Sequence, residues 1–168
     1  MSLEIRKATI DDAPAVAEVH TRAYEMAYTG IIPADKLAQM CADHPKRRKE
    51  NLSRQDHTTH VAVLDHRIVG FFNFGPCHCD DLGERYYQVY AIYLHPDCHR
   101  RGIGKAMMDY AHARARERGK TAMMLWVFEE NAPARRFYEA CGYQPDGTLR
   151  IDDFGGRPVK GLRYRREL

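Results

Sequence analysis

Between Tyr90 and Met108 the chain reads YAIYLHPDCHRRGIGKAMM, and few folds accommodate that order of residues. Tyr90 to Leu94 is apolar, aromatic and β-branched, the pattern of a strand buried on both faces. His95-Pro96-Asp97 ends it, because Pro96 has no N–H for a ladder bond. Two arginines, two glycines flanking Ile103, and the helix formers Lys105 to Met108 follow. Strand, basic turn, Gly-x-Gly and helix start together predict an anion site. Unpaired first-turn amides and the helix dipole direct positive potential at the loop. Gly102 and Gly104 allow close approach of backbone to a ligand, and Arg100, Arg101 and Lys105 add formal charge.

Two nucleotide-binding readings fail on spacing. A P-loop needs glycine where His99 stands and Ser or Thr where Ala106 stands. A dinucleotide fingerprint needs a third glycine in place of Met107. A pyrophosphate loop of another type survives, and so does a plain strand-helix turn whose glycines ease packing.

His99-Arg100-Arg101-Gly102-Ile103-Gly104 resembles the acetyl-CoA loop Q/R-x-x-G-x-G/A of the GNAT superfamily of N-acetyltransferases, with His99 as the departure. Asn131 to Tyr143, NAPARRFYEACGY, resembles that family's next motif, N-x-x-A-x-x-F-Y-x-x-x-G-F/Y. Two matches in the right order are far more specific than either alone, and the resemblance covers almost the whole chain.

The remaining elements read in the same order. Leu3 to Ala8 alternates as a strand, and Thr9-x-x-Asp12 caps a helix carrying Val16, Val19, Ala23 and Ala27. Ile31-Ile32-Pro33 reads as an exposed link into a second helix, Ala34 to Met40. Pro45 to Arg54 reads as a further basic helical segment, a solvated face rather than a nucleic-acid patch. A hairpin turns at Asp65-His66, a helix runs from Gly102 to Arg118, and a strand from Thr121 to Phe128. That helix places Ile103, Met107, Tyr110 and Ala111 inward, and His112, Arg114, Arg116 and Arg118 outward. Asn131 to Cys141 is helical, and the chain closes in a hairpin at Gly155-Gly156. The expectation is an α/β fold in one domain, residues 1–168, with helices on both faces of a mixed sheet. The resemblance sharpens this to a GNAT fold of about seven mostly antiparallel strands. It also implies a splay between Tyr86–Leu94 and Thr121–Phe128, which no residue pattern would reveal.

The resemblance implies transfer of an acetyl group from acetyl-CoA to a primary amine, within a ternary complex. Backbone groups of Ile92, Tyr93 and Leu94 would hold the pantetheine arm, and His99 through Lys105 the pyrophosphate. Tyr138 would give a proton to the departing thiolate, since a phenol keeps its proton at neutrality. Spacing alone favours a core role, because Ala134, Phe137, Tyr138 and Cys141 make a helical stripe. Asn131 would cap its helix and lie near the cofactor. Relatives often carry Glu in E-x-Y-A-I-Y, where this chain has Gln88, and a neutral amide cannot take a proton. Glu84, His78 and His95 are stand-ins by proximity in sequence only. Tyr24, Tyr28, Ile31 and Ile32, with Gln88, are the expected acceptor residues; Phe154 would face them, and the competing reading is a helix end packed on the sheet.

Composition bounds the partners. The 168 residues, 44% hydrophobic and 29% charged with a net charge of +3, describe an ordinary globular chain with no demand for nucleic acid. No stretch suits a membrane span or signal sequence, so the expectation is a cytoplasmic protein, monomer or homodimer, acting on a small amine. Five cysteines in such a chain predict free thiols. Cys77-His78-Cys79, with His95, Cys98 and His99, lacks C-x-x-C pairing, and no metal is expected. A non-catalytic acyl-CoA-binding module, and a protein or peptide amine as acceptor, stay open as alternatives.

Overall fold

The computed structural model describes all residues, 1–168. Its elements are β1 (Leu3–Lys7), α1 (Ala13–Tyr28), α2 (Ala34–Ser53), β2 (Thr59–Leu64), β3 (Arg67–Pro76), β4 (Tyr86–Leu94), α3 (Ile103–Glu117), β5 (Ala122–Phe128), α4 (Ala132–Ala140), β6 (Gln144–Phe154) and β7 (Arg157–Glu167). The seven strands form one sheet ordered β1-β2-β3-β4-β5-β7-β6. Only the β4–β5 pair is parallel. The expected mixed, mostly antiparallel sheet is present.

Successive strand residues face opposite sides, and β3 shows what that does here. Phe71 packs with Val16 and Val19 of α1 and Leu52 of α2. Its neighbour Phe72 packs with Met107 and Ala111 of α3. Both rings are fully buried, so β3 is the common wall of two cores. The β2–β3 hairpin turns on Asp65 and His66 with φ of 46° and 69°, positive at both central residues as a type I′ turn requires.

Four local expectations are corrected. The segments Ala34 to Met40 and Pro45 to Arg54 are one helix, α2. Pro45 deprives the Cys41 carbonyl of its helical donor, and the Thr21 hydroxyl of α1 approaches that oxygen at 3.5 Å. Within the basic stretch Arg48 turns inward over the Phe71 ring, 5.6 Å from its centroid. His112 is buried rather than solvated, bonded to the Tyr143 hydroxyl at 2.9 Å and to Arg166 at 3.0 Å. Ile31 and Ile32 are buried against Leu37 and Val159 rather than exposed.

What positions the site is the parting of β4 from β5. The two strands pair only over Tyr86, Tyr87 and Gln88 against Ala122, Met123 and Met124. Beyond Gln88, β4 follows β3 as far as Gly70↔Leu94, while β5 follows β7 to Phe128↔Gly161. The divergence begins at a bulge. Asn73 pairs with Ala91 and Phe74 with Val89, which leaves Tyr90 as the extra residue that bends the strand. The Tyr90 hydroxyl donates to the Pro76 carbonyl and anchors the bulge.

Candidate active site

A cleft of about 1200 Å³ opens where β4 and β5 separate. One arm runs from the end of β4 to the start of α3; the other lies between the end of α1 and the β6–β7 hairpin.

The first arm is shaped by backbone. Gly102 is the N-cap of α3 at φ 77°, a left-handed conformation that a side chain would strain. Arg100 is also left-handed, at φ 59°. The helical ladder starts with the Ala106 amide on the Gly102 carbonyl at 3.0 Å, so the amides from Gly102 to Lys105 lie outside it. No side chain caps this end. Gly104 serves packing as well as ligand approach, since a Cβ there would meet the Phe137 ring at 3.2 Å. The His99 Nε2–H donates to the Leu94 carbonyl at 3.2 Å and ties the loop to the strand. Arg100, Lys105 and Arg136 line the same cleft. Lys105 also bonds Asp109 at 2.5 Å.

The second arm is aromatic. Tyr24 meets Tyr28 edge-on with centroids 4.8 Å apart, Tyr28 meets Phe128 at 5.5 Å, and Phe128 meets Phe154 at 5.8 Å. The Tyr28 and Tyr93 hydroxyls are 3.0 Å apart, and burial holds both phenols protonated well above the ordinary range. The Arg157 guanidinium donates to the Gly30 carbonyl at 3.2 Å, joining the hairpin to the α1–α2 turn.

Tyr138 lies in the cleft wall, and its hydroxyl has no partner within the chain. Burial, with a smaller effect of Tyr28, raises its pKa above the ordinary phenol value. Asn131 accepts from the Ala134 amide at 3.4 Å, the expected N-cap bond, and also lines the cleft. The Gln88 carbonyl oxygen accepts from the His78 amide at 3.2 Å.

Ile92, Tyr93, Leu94, His99, Arg100, Gly102, Gly104, Lys105, Asn131, Tyr138, Tyr24, Tyr28, Ile31, Ile32, Gln88 and Phe154 all line this one cleft. Arg101 and Ile103 do not. Arg101 reaches the Met1 sulfur at 3.7 Å, and the Ile103 side chain is core. Glu84, His78 and His95 also lie outside the lining. The only carboxylate in the lining is Glu130, 3.5 Å from Arg157. Trp126, Arg136 and Arg150 are lining residues that the sequence reading missed. No three His, Cys, Asp or Glu side chains gather as a metal site, and all five cysteines are free thiols.

Residues 16–143 match the family described as Acetyltransferase (GNAT). The uncharacterised N-acetyltransferase YuaI of Bacillus subtilis is 30% identical over 162 residues, covering 96% of this chain and 88% of the relative. The chain belongs to the GNAT acetyltransferase family. It is an acetyl-CoA-dependent N-acyltransferase. Among solved structures, the PaiA N-acetyltransferase of Thermoplasma acidophilum in complex with coenzyme A superposes at TM-score 0.81, with 20% identity and full coverage of both chains. The spermidine N(1)-acetyltransferase of Thermoplasma acidophilum is 23% identical, over 88% of this chain and 92% of that one. The L-amino acid N-acyltransferase MnaT of Escherichia coli is 25% identical, over 84% and 79%. The first arm fits the family's cofactor: open β4 backbone leads to unpaired amides in a cleft that Arg100, Lys105 and Arg136 also line. When bound, acetyl-CoA supplies an activated acetyl thioester.

Proposed function

We propose that this GNAT enzyme acetylates the primary amine of a small molecule, by direct transfer with both substrates bound. One observation carries the reading: the Arg157–Gly30 bond and the packing of Ile31, Ile32 and Leu37 on Val159 join the α1–α2 turn to the β6–β7 hairpin. These contacts bring two elements together along one side of the acceptor arm, which would narrow the approach of a polypeptide. Relatives named for spermidine and for L-amino acids support a small acceptor.

In this reading the backbone of Ile92, Tyr93 and Leu94 holds the pantetheine arm like an added strand. The amides and cations from His99 to Lys105, with Asn131 nearby, hold the pyrophosphate. Tyr24, Tyr28, Ile31, Ile32 and Gln88 shape the acceptor site. An ammonium that becomes an amide sheds two protons, and one of them balances the sulfur that leaves. Tyr138, protonated and without an internal partner, would supply that one. No carboxylate free of an ion pair lines the cleft, so the amine's proton passes to water or the amine arrives neutral. No cysteine lines the cleft, so an acyl-enzyme on sulfur has no carrier and transfer is direct.

Initial rates with acetyl-CoA and a panel of small amines and peptides test this. Turnover of small amines with intersecting double-reciprocal lines is expected. Parallel lines would remove direct transfer, and far faster turnover of a peptide would remove the small acceptor.

A further inference from the structure

Resting on that acceptor reading, we infer that the acceptor carries a carboxylate as well as its amine, and that Arg150 is the residue that recognises it. Arg150 is on β6, opposite Gly161 of β7, which is in turn opposite Phe128 of β5. Directly opposed strand residues share a face, so the three form one row across the acceptor arm. Gly161 has no side chain, and the Arg150 stem fills that space: a Cβ at Gly161 would lie 3.1 Å from the Arg150 Cγ. The guanidinium thereby crosses β7 and comes to rest 4.6 Å over the Trp126 ring. Both Arg150 and Trp126 line the cleft.

The guanidinium is held but not used up. Its Nε donates to Asp152 at 3.2 Å, and both terminal nitrogens have no partner in the chain. A planar fork fixed on an aromatic face, with both ends free, matches the two oxygens of a carboxylate. The other charge in this arm, Glu130, is engaged by Arg157. A polyamine would therefore bring its second ammonium toward a guanidinium, whereas an amino acid brings the anion that the free terminal nitrogens can take while Asp152 holds only Nε. The rings of Tyr24, Tyr28, Phe128 and Phe154 leave an apolar surface for the rest of the molecule. The acceptor class is an amino-carboxylate, an amino acid in the simplest case.

Acceptor pairs that differ only in the carboxylate provide the test: phenylalanine with phenethylamine, leucine with isoamylamine, methionine with 3-(methylthio)propylamine, plus ω-amino acids and spermidine. Under saturating acetyl-CoA, the carboxylate should raise kcat/KM about 10- to 100-fold, the range for a charge-assisted fork. Arg150→Gln should erase this ratio by raising KM for the acid alone, with CoA affinity unchanged. Gly161→Ala should weaken the ratio less, by pressing on the Arg150 stem. Trp126 is the only tryptophan, so its fluorescence reports acceptor binding to the CoA complex independently of turnover. Preference for decarboxylated amines or spermidine in the natural enzyme overturns the inference. So does an equal loss on both members of each pair in Arg150→Gln. In either case continued turnover of small amines leaves the broader acceptor reading standing; turnover of no small amine removes both.

Discussion

At the scale of single residues, Tyr138 and the two loop glycines show how differently a motif letter can be explained. Tyr138 sits on the helical stripe that spacing predicts and packs against the core, yet it also lines the cleft and its hydroxyl has no partner in the chain. Tyr138→Phe keeps the ring and its packing, so CoA affinity should hold while turnover falls about a hundred- to ten-thousand-fold, the range for a lost proton donor. Undiminished turnover in that variant would return Tyr138 to a packing role. Gly102 has open space around its absent Cβ but a φ of 77°, so Gly102→Ala meets only backbone strain. A loss of about 1–2 kcal/mol follows, which lowers Tm by about 2–8 °C in a chain of this size. At Gly104 a Cβ strikes Phe137 at 3.2 Å, the residue next to Tyr138. Gly104→Ala should therefore depress turnover by shifting that ring, while its stability stays nearer the original because Ala gains about 1 kcal/mol over Gly within a helix, and calorimetry beside kinetics separates the two variants. A sequence motif names both glycines alike; only the contact with α4 tells them apart. Arg150 and Trp126 carry no local signal at all, because their meeting depends on register across β5, β7 and β6.

At the scale of elements, β4, its loop and α3 are legible because each follows from local chemistry: β-branched and aromatic runs, a proline stop, glycines and helix formers. The splay is not, since it arises where a one-residue bulge at Tyr90 meets the end of the β4–β5 ladder. Nor is the unbroken α2, because Pro45 is locally a breaker and the compensation comes from another helix. Thr21 reaches both the Cys41 carbonyl, at 3.5 Å, and the His44 Nδ1, at 3.0 Å. One hydroxyl proton serves both contacts only if the His44 Nδ1 carries its own hydrogen and donates to Thr21. Thr21→Val strips both partners of a buried bond and should cost about 1–3 kcal/mol. Urea titration reads this as a lower midpoint at constant slope; an unchanged midpoint would mean that α2 tolerates Pro45 without help from α1.

For the whole molecule, the interior hides three histidines whose protonation burial and nearby cations oppose more strongly than nearby carboxylates favour it. His20 and His44 stack at 3.5 Å between α1 and α2, against Tyr24, Tyr93 and Phe71. The positive charges of Arg47 and Arg48 oppose their protonation, and Asp43 only partly offsets this at His44. His112 meets Arg166 and Arg116 on the other face of the sheet, with Asp109 as its weaker counterweight. Burial first, then its neighbour His44 and these arginines, lowers His20 to about 2; burial first, then the cations beside each, lowers His44 and His112 to about 4. The unfolded chain takes up protons at these sites from about pH 6.5 downward, while the folded protein refuses them. The stability they contribute is therefore complete above about pH 6.5 and is lost steadily as pH falls toward 4. Asp12, held below the usual carboxylate range by Arg6, and Asp146, held there despite burial by Thr148 and Arg163, act only in the more acidic window below. Unfolding free energy should thus fall between pH 7.5 and 5, with acid weakening both sheet faces at once. In His44→Phe, which keeps a ring stacked on His20 but removes one titrating site, the same drop should be smaller. Denaturant titrations of both proteins at each pH measure this directly, and equal slopes against pH would show that the buried pair does not set the acid limit of the fold.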